Sequence, residues 1–176
     1  MSPPSNEPYE YQCQMNDTVR RASILNLSAM GVSLVVLCVG AVIYELATLW
    51  IGAALVGIVL ACNVIYEPIG GSLEANQLTM YLRATRMTIP LADVASAESC
   101  SGELVTSGMR IFGIGPSLGY LGWYRHAGAT FLALVKDPDK LVFIKRVDAR
   151  PIALSCERPD ELARHITSRL RAAEPT

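Results

Sequence analysis

Residues 24–66 read ILNLSAMGVSLVVLCVGAVIYELATLWIGAALVGIVLACNVIY, and Glu45 is the one charged side chain in this stretch. A straight helix of about 43 residues would be roughly 65 Å long. A bilayer core is about 30 Å thick, and about 20 apolar residues are enough to cross it. The length therefore predicts two membrane spans, 24–44 and 47–66, which form a hairpin that reverses at Glu45.

Small residues recur every four positions in the second span, at Ala53, Gly57 and Ala61. Such a face lets two helices approach closely inside a bilayer. The first span of the same hairpin and a second copy of the chain are the two candidate partners for it. Neither span has a charged residue or a histidine near its middle, so the pattern gives no sign of an ion or proton pathway.

Two arginines, Arg20 and Arg21, stand directly before the first span, whereas the turn at Glu45 has no Lys or Arg beside it. The positive-inside rule then predicts a cell (inner or plasma) membrane protein with two spans and with both termini in the cytoplasm. A twin-arginine export signal is the alternative, but it needs a short apolar region and a small-residue cleavage site. We expect a disordered cytoplasmic tail over 1–21, a transmembrane hairpin over 22–67 and a folded domain over 70–171.

Composition argues against several classes of function. The net charge of -1 gives no general attraction for nucleic acid. The five cysteines are widely spaced and odd in number, which does not fit a disulfide framework. His126 and His165 have no partners at metal-ligand spacing, and no serine or cysteine stands in a recognisable nucleophile motif. We therefore expect no cofactor, no metal and no catalysis.

After the hairpin, the apolar pattern changes from helical to alternating. Alternation over 78–82 and 86–89 predicts two strands, and the Val-, Leu- and Phe-rich runs 130–136 and 141–146 predict two more. Pro159 followed by acidic residues predicts the first turn of a terminal amphipathic helix. The order indicates a small, strongly bent antiparallel sheet or barrel that a C-terminal helix closes.

Three motifs in this region resemble bacterial pleckstrin-homology-like (PH-like) domains. The stretch TIPLADV at 88–94 is similar to the I-P-L-x-D-I element that ends the first β-meander of those domains. Residues 110–124 resemble the Gly-rich centre of a membrane-tethered branch of the family. Residues 152–162 resemble the I-x-I-S-P-x-x-P-E-x-F ending of that branch, with Cys156 in place of a proline and Leu162 in place of an aromatic residue.

The resemblance covers about residues 70–170. It implies a mainly-β, seven-stranded, partly open barrel that a C-terminal α-helix caps and that two membrane spans precede. PH-like domains mostly bind lipids, peptides or other proteins, so the resemblance implies a binding module and not an enzyme. The expected partners are the lipid bilayer and either a protein partner or further copies of the chain.

Glycine and aromatic residues are concentrated between positions 110 and 125. Their spacing does not fit a dinucleotide fingerprint, and the Gly-Lys-Ser/Thr of a phosphate-binding loop is absent from the sequence. Tyrosine and tryptophan have an apolar body and a polar tip, which suits a membrane interface or a peptide groove. Arg110, Tyr120, Trp123, Tyr124 and Arg125 are therefore candidate contacts for a lipid or a partner; the alternative is that most of the aromatic residues fill the barrel core.

These patterns favour a non-enzymatic, membrane-anchored PH-like module that binds a protein or a lipid at the cytoplasmic face of the membrane. The alternative is an accessory subunit of a membrane enzyme or transporter complex, which would dock through its hairpin. The small-residue face of the second span suits that second role.

Overall fold

Two apolar helices precede the β-structure. The computed structural model describes residues 8–114 and 119–173, in which helix α1 is Asp17–Tyr44 and helix α2 is Ala47–Ile65. Asn16 caps the start of α1, because its side-chain Oδ1 accepts a hydrogen bond from the backbone N–H of Val19 at 2.8 Å. Glu45 adopts a left-handed conformation (φ 52°), which ends α1 and reverses the chain.

Helix α1 confirms the coarser part of the prediction, an apolar helix of spanning length ahead of the β-structure; it begins at Asp17, within the expected disordered tail, and not at residue 24. By length and composition, it is the one helix among the described residues that could cross a bilayer. Helix α2 is also apolar, but its stretch Ala47–Cys62 is too short to meet the same criterion. A second span therefore stays a prediction.

The two helices pack against each other in antiparallel orientation. A Cβ atom on Gly40 would lie 3.3 Å from Leu49 Cδ1, and one on Gly52 would lie 3.7 Å from both terminal carbons of Leu37. Leucine side chains of one helix thus lie over glycines of the other. The reversal at Glu45 leaves only Leu46 before α2, so the helices are adjacent in space as well as in sequence.

The predicted small-residue face is only partly used between the helices. Ala53 is buried, as close packing against α1 requires. A Cβ on Gly57 would meet no atom within 4 Å, and Ala61 is exposed. Of the three small residues, Ala53 therefore faces α1, while Gly57 and Ala61 leave open space beside α2.

The described residues form ten strands, joined by short turns and helices. The strands are β1 (Tyr9–Gln12), β2 (Pro68–Leu73), β3 (Gln77–Leu82), β4 (Arg86–Pro90), β5 (Val94–Cys100), β6 (Met109–Ile114), β7 (Tyr120–His126), β8 (Ala129–Val135), β9 (Leu141–Arg146) and β10 (Ile152–Ser155). A 3₁₀ turn, Leu91–Asp93, links β4 to β5; helix α3 is Glu103–Thr106 and helix α4 is Pro159–Ala173. The strands predicted at 78–82, 86–89, 130–136 and 141–146 and the terminal helix are confirmed.

The segment just before α1 is a strand and not the expected disordered tail. Strand β1 pairs with β2 in antiparallel register, Tyr11 opposite Gly71 and Gln12 opposite Gly70. Tyr11 and Cys13 are buried in the main core. Apolar and polar residues alternate over 9–13, and this short alternation is the sequence feature that could have predicted a strand. Residues 1–7 of the expected tail lie outside the described residues.

The strands form two sheets, one of four strands in the order β1-β2-β3-β4 and one of six in the order β5-β9-β10-β8-β7-β6. Strand β10 is inserted between β8 and β9, parallel to β8 and antiparallel to β9. This arrangement differs from a simple meander and from the seven strands that the resemblance implies. All four residues of β10 are buried, and such a strand is stable where neighbours cover both its edges and both its faces.

The main core lies between the two sheets and under helix α4. Its largest fully buried side chains come from all three parts: Leu73, Leu78, Ile89, Ile144, Ile152, Leu154, Leu162 and Ile166. Burying each of them contributes about 1.5–3 kcal/mol relative to exposure. A second cluster, which includes Tyr124, Phe131 and Leu141, packs together with Val105 of α3, so the six-stranded sheet has side chains in two separate cores.

A buried ion network ties the end of α2 to both sheets. Glu67, directly after α2, accepts a hydrogen bond at 2.7 Å from Lys136 Nζ, which follows β8. The Nε of Arg83, from the β3–β4 turn, donates to the other carboxylate oxygen at 2.8 Å. Burial opposes ionisation of Glu67, but the hydrogen bonds and charges of Lys136 and Arg83 outweigh it and hold the pKa of this carboxyl below its ordinary value.

Glu67→Gln should destabilise the fold by about 3 kcal/mol, because it leaves the Lys136 ammonium buried without its counter-ion. The free energy of unfolding in mild detergent, measured by urea titration, checks this. Glu98→Gln is the matched control: its partner Lys145 is exposed, so the loss should stay below about 1 kcal/mol. Equal effects of the two changes would contradict a structural role for the network.

The stabilising effect of Glu67 should also depend on pH. Because its folded-state pKa is lowered, the ionised carboxylate stabilises the fold above the ordinary glutamate pKa of about 4.3, and this contribution is lost as the pH falls through the folded-state value. The stability difference between the wild-type chain and Glu67→Gln should therefore be largest near neutral pH and should narrow in acid. Urea titrations at several pH values test this, and a difference that widens in acid would contradict it.

Candidate functional site

An open apolar groove of about 850 Å³ lies where the two sheets diverge. The β3–β4 hairpin borders one side, and β6 with β7 borders the other. Strands β4 and β6 are edge strands of their respective sheets, so no ladder of backbone hydrogen bonds closes the gap between them. The volume falls within the range of about 300–1,000 Å³ that is typical of ligand sites.

The floor of the groove is part of the main core. Leu82, Leu121 and Leu134 are almost fully buried, and they line the groove from the two facing sheets. Leu132 lies beside them and is partly buried. A ligand in the groove would therefore touch the same aliphatic side chains that hold the sheets together.

The wall that β6 forms exposes large apolar side chains. Met109, Ile111 and Phe112 are exposed, Phe112 to 75%. The register shifts between Arg110 and Phe112, and this irregularity leaves Ile111 without a direct partner on β7. Exposed apolar edge strands of this kind are usually covered by a partner or by another element.

Two glycines keep β6 and β7 close together at this wall. Gly113 and Gly122 are directly opposite each other and have φ values of 140° and 128°. Residues with a side chain rarely adopt such backbone conformations. A Cβ on either residue would overlap the backbone of the other strand. Gly113 and Gly122 therefore allow the close approach of the two strands.

Helix α2 forms the remaining border of the groove. Ile58, Val59, Cys62 and Tyr66 line it from the last two turns of the helix and its C-terminal cap. Ile58 and Val59 also belong to the exposed apolar surface of α2. The interior of the groove is thus continuous with the outer surface of the helix.

The charged residues that line the groove are both arginines. They are Arg86, at the start of β4, and Arg110, on β6; among the described lining residues there is no carboxylate. A third arginine lies close by, because the guanidinium of Arg150 stacks over the ring of Trp123 at 5.0 Å from its centroid. In the described part of the chain, Arg86 and Arg150 have no carboxylate within ion-pair distance. The edge of the groove is therefore positively charged.

The predicted contact residues are divided between the groove and the second core. Tyr124 is only 3% exposed and packs in the second core, with Tyr120 against it. Burial raises the pKa of the Tyr124 hydroxyl, and the hydrogen bond and charge of Arg110 act in the opposite direction. For these two tyrosines the alternative interpretation, that the aromatic residues fill the core, describes the structure.

The other predicted residues differ among themselves. Trp123 and Arg110 line the groove, while Arg125 is exposed and is not among the lining residues. Trp123 and Tyr124 are neighbours in one strand and therefore point to opposite faces of the sheet. Since that sheet has apolar side chains on both faces, alternation could not tell which of the two residues is available to a ligand.

No sequence pattern indicated that α2 and the β3–β4 hairpin line this groove. Met87 and Arg86 line the groove from β4, and Tyr66 and Cys62 line it from the end of α2. Local sequence patterns could not predict that the end of α2 borders the groove, because its position depends on how the helix joins β2.

Cys13 and Cys156 are buried thiols in the main core. The described residues contain no group of three potential metal-ligating side chains. Burial raises the pKa of the Cys13 thiol to about 12 and that of Cys156 to about 11, so both are neutral at physiological pH and unsuited to nucleophilic attack. Cys13 instead donates a hydrogen bond to the backbone oxygen of Ser155 at 2.8 Å.

A second cleft, of about 510 Å³, runs along β1 and β2. It is lined by a mixture of polar and apolar groups, including Tyr9, Glu10, Tyr81 and Arg158. Unlike the apolar groove, it does not have α2 as a border and does not contain any of the predicted contact residues. The apolar groove is therefore the stronger candidate for a binding site.

Comparison of the chain with protein-family models, with curated proteins and with solved structures finds no match in any of the three. The resemblance to PH-like domains accordingly stays a prediction. What can be inferred about function comes from the groove and the helices themselves.

Tyr124→Ala should cost about 3–5 kcal/mol of stability, because it empties a buried position in the second core. Phe112→Ala removes an equally large aromatic side chain from the exposed wall, so it should change stability by less than about 0.5 kcal/mol. Urea titration of the two variants in mild detergent measures the difference. A larger loss for Phe112→Ala would show that the wall is structural.

Proposed function

We propose that this chain is a non-enzymatic, membrane-anchored binding module. In this proposal α1 and α2 cross the bilayer as a hairpin, and the β-structure lies at the cytoplasmic face. The apolar groove then opens at the membrane surface, where it binds a lipid or an apolar part of a protein. The resemblance to PH-like domains points to the same kind of activity, binding at a membrane.

The observation that carries the proposal is the outer surface of the two helices. Large apolar side chains are exposed along most of their length, among them Ile24, Val35, Ile43, Ile51 and Ile58. Soluble monomers rarely expose a continuous apolar patch of more than a few hundred Å². Lipid tails would cover such a surface on all sides at once.

The lengths of the exposed helical segments suit a bilayer. The first part of α1 lies close to the β-structure: Val19 and Ser23 are buried, and the side chain of Asn16 donates a hydrogen bond to Asp137 Oδ1 at 3.2 Å. The remaining segment, 24–44, is about 32 Å long, and α2 is about 29 Å long at 1.5 Å per residue. Both lengths are close to the bilayer core of about 30 Å. In this proposal α2 crosses the bilayer beside α1, although its described apolar stretch is shorter than that of α1.

The two ends of the hairpin indicate on which side of the membrane the β-structure lies. Strand β1, ahead of α1, pairs with β2, which follows α2, so both ends are held at the same sheet. Arg20 and Arg21 are exposed near this end, and the turn at Glu45 has no basic residue beside it. The positive-inside rule then favours a cytoplasmic location for the β-structure.

A second candidate function is that of an accessory subunit of a membrane complex. The open space beside Gly57, together with the exposed position of Ala61, leaves a smooth strip on the outer side of α2. A helix of another protein could approach closely there. Stable co-purification with one larger membrane protein in mild detergent, lost on Gly57→Leu, would favour this role over a self-contained module.

Cysteine labelling in intact cells tests the topology. In a background that has no native cysteines, Glu45→Cys should react with a membrane-impermeant maleimide, because the turn would lie outside. Asp148→Cys, which is exposed in the turn after β9, should react only after permeabilisation. The two variants are controls for each other, because both side chains are exposed in the folded chain.

Two outcomes would contradict the proposed topology. Labelling of Asp148→Cys in intact cells would put the β-structure on the outer side. Protection of both positions would mean that the helices lie along the membrane or are covered by protein instead of crossing it.

A further inference from the structure

We propose that the groove binds one acyl chain of an anionic phospholipid from the adjacent leaflet, with Arg86 and Arg150 facing the lipid headgroup. This inference rests on the proposed membrane anchoring and specifies the ligand of the same site. It commits to a lipid, and not to a protein segment, for three reasons.

The first reason is continuity with the surface of α2. Ile58 and Val59 are exposed on the helix and also line the groove. A lipid chain that lies along α2 in the bilayer could therefore move sideways into the groove and stay in contact with apolar atoms throughout. A polar peptide would have no such path.

The second reason is the shape and chemistry of the interior. The floor and walls are formed by leucines, Met87, Phe112 and Trp123, and a groove of about 850 Å³ has room for a flexible hydrocarbon chain. The lining side chains are mostly apolar, and a hydrocarbon chain has no polar group that would need a hydrogen-bond partner there.

The third reason is charge. Arg86 lines the groove, and Arg150 stacks on Trp123, which also lines it. Arginine suits phosphate groups because its planar guanidinium can donate two hydrogen bonds at once. Without an acidic residue among the described lining residues, the site favours a headgroup with a net negative charge over a zwitterionic one.

Tryptophan fluorescence offers a direct test, since Trp50 and Trp123 are the two tryptophans of the chain. In Trp50→Phe, the remaining Trp123 reports on the groove. In Trp123→Phe, the remaining Trp50 reports on the exposed far part of the hairpin. The full chain is placed in phosphatidylcholine vesicles in which one-fifth of the lipid molecules carry bromine on their acyl chains. The brominated lipid is phosphatidylglycerol in one preparation and phosphatidylcholine in the other.

Bromine quenches tryptophan on contact, so the ratio of quenching by the two brominated lipids measures the preference for the anionic headgroup. Trp123 should prefer brominated phosphatidylglycerol by about fivefold or more, given the usual effect of one arginine near a lipid surface. Trp50 should show no preference, because it meets bulk lipid.

Charge variants then identify the headgroup contact. Arg86→Gln in the Trp50→Phe background should lower the preference several-fold, towards equal quenching, while Arg86→Lys should keep part of it. Arg171→Gln is the matched control: it removes one positive charge from an exposed position on α4 that does not line the groove. It should leave the preference unchanged.

Three results would overturn the inference. Equal quenching of Trp123 by both lipids would mean that the groove meets the bilayer without recognising a headgroup. Absence of quenching at Trp123 would mean that a protein segment fills or covers the groove. If Trp123 in Arg86→Gln is still quenched preferentially by brominated phosphatidylglycerol, Arg86 does not contact the headgroup.

The same data separate this inference from the proposed function. If Trp50 is quenched by both lipids, the hairpin lies in the bilayer whatever Trp123 reports. If Trp50 is quenched by neither, the membrane anchoring itself is wrong.

Discussion

The pairing of β1 with β2 is the constraint on which the rest of the molecule depends. These strands stand immediately before and after the helical hairpin, and their register brings Tyr11 opposite Gly71. A loop of two long helices would otherwise leave its ends free to separate. With the ends paired, the helices can leave the β-structure in only a narrow range of directions.

The ion network adds a second attachment at the same place. Glu67 lies between the last turn of α2 and the first residue of β2, and it binds Lys136 from the other sheet. A buried ion pair contributes little net stability over an apolar contact, but its geometry is demanding. We infer that its main effect is to fix where α2 meets the sheets, and hence to hold the helix beside the groove.

The groove follows from an incomplete closure of the β-structure. Strands β4 and β6 are the edges that face each other, and neither supplies hydrogen bonds to the other. The glycine pair Gly113–Gly122 lets β6 follow β7 closely, so the exposed apolar side chains of β6 lie at the opening. A soluble protein with this edge would be prone to association. Next to a bilayer, the same edge has an apolar environment available.

Sequence patterns alone predict the elements whose side chains repeat with a clear period. The apolar helices, the strands at 78–82 and 141–146 and the amphipathic terminal helix could be predicted because each buries one defined face or is apolar throughout. Three features could be recognised in the folded chain alone. Strand β1 pairs with β2, and β10 lies between β8 and β9. Trp123 lines a groove, whereas Tyr124 fills a core. The physical reason is that the six-stranded sheet is apolar on both faces, so alternation along one strand does not reveal which side chain meets a neighbour and which meets a gap.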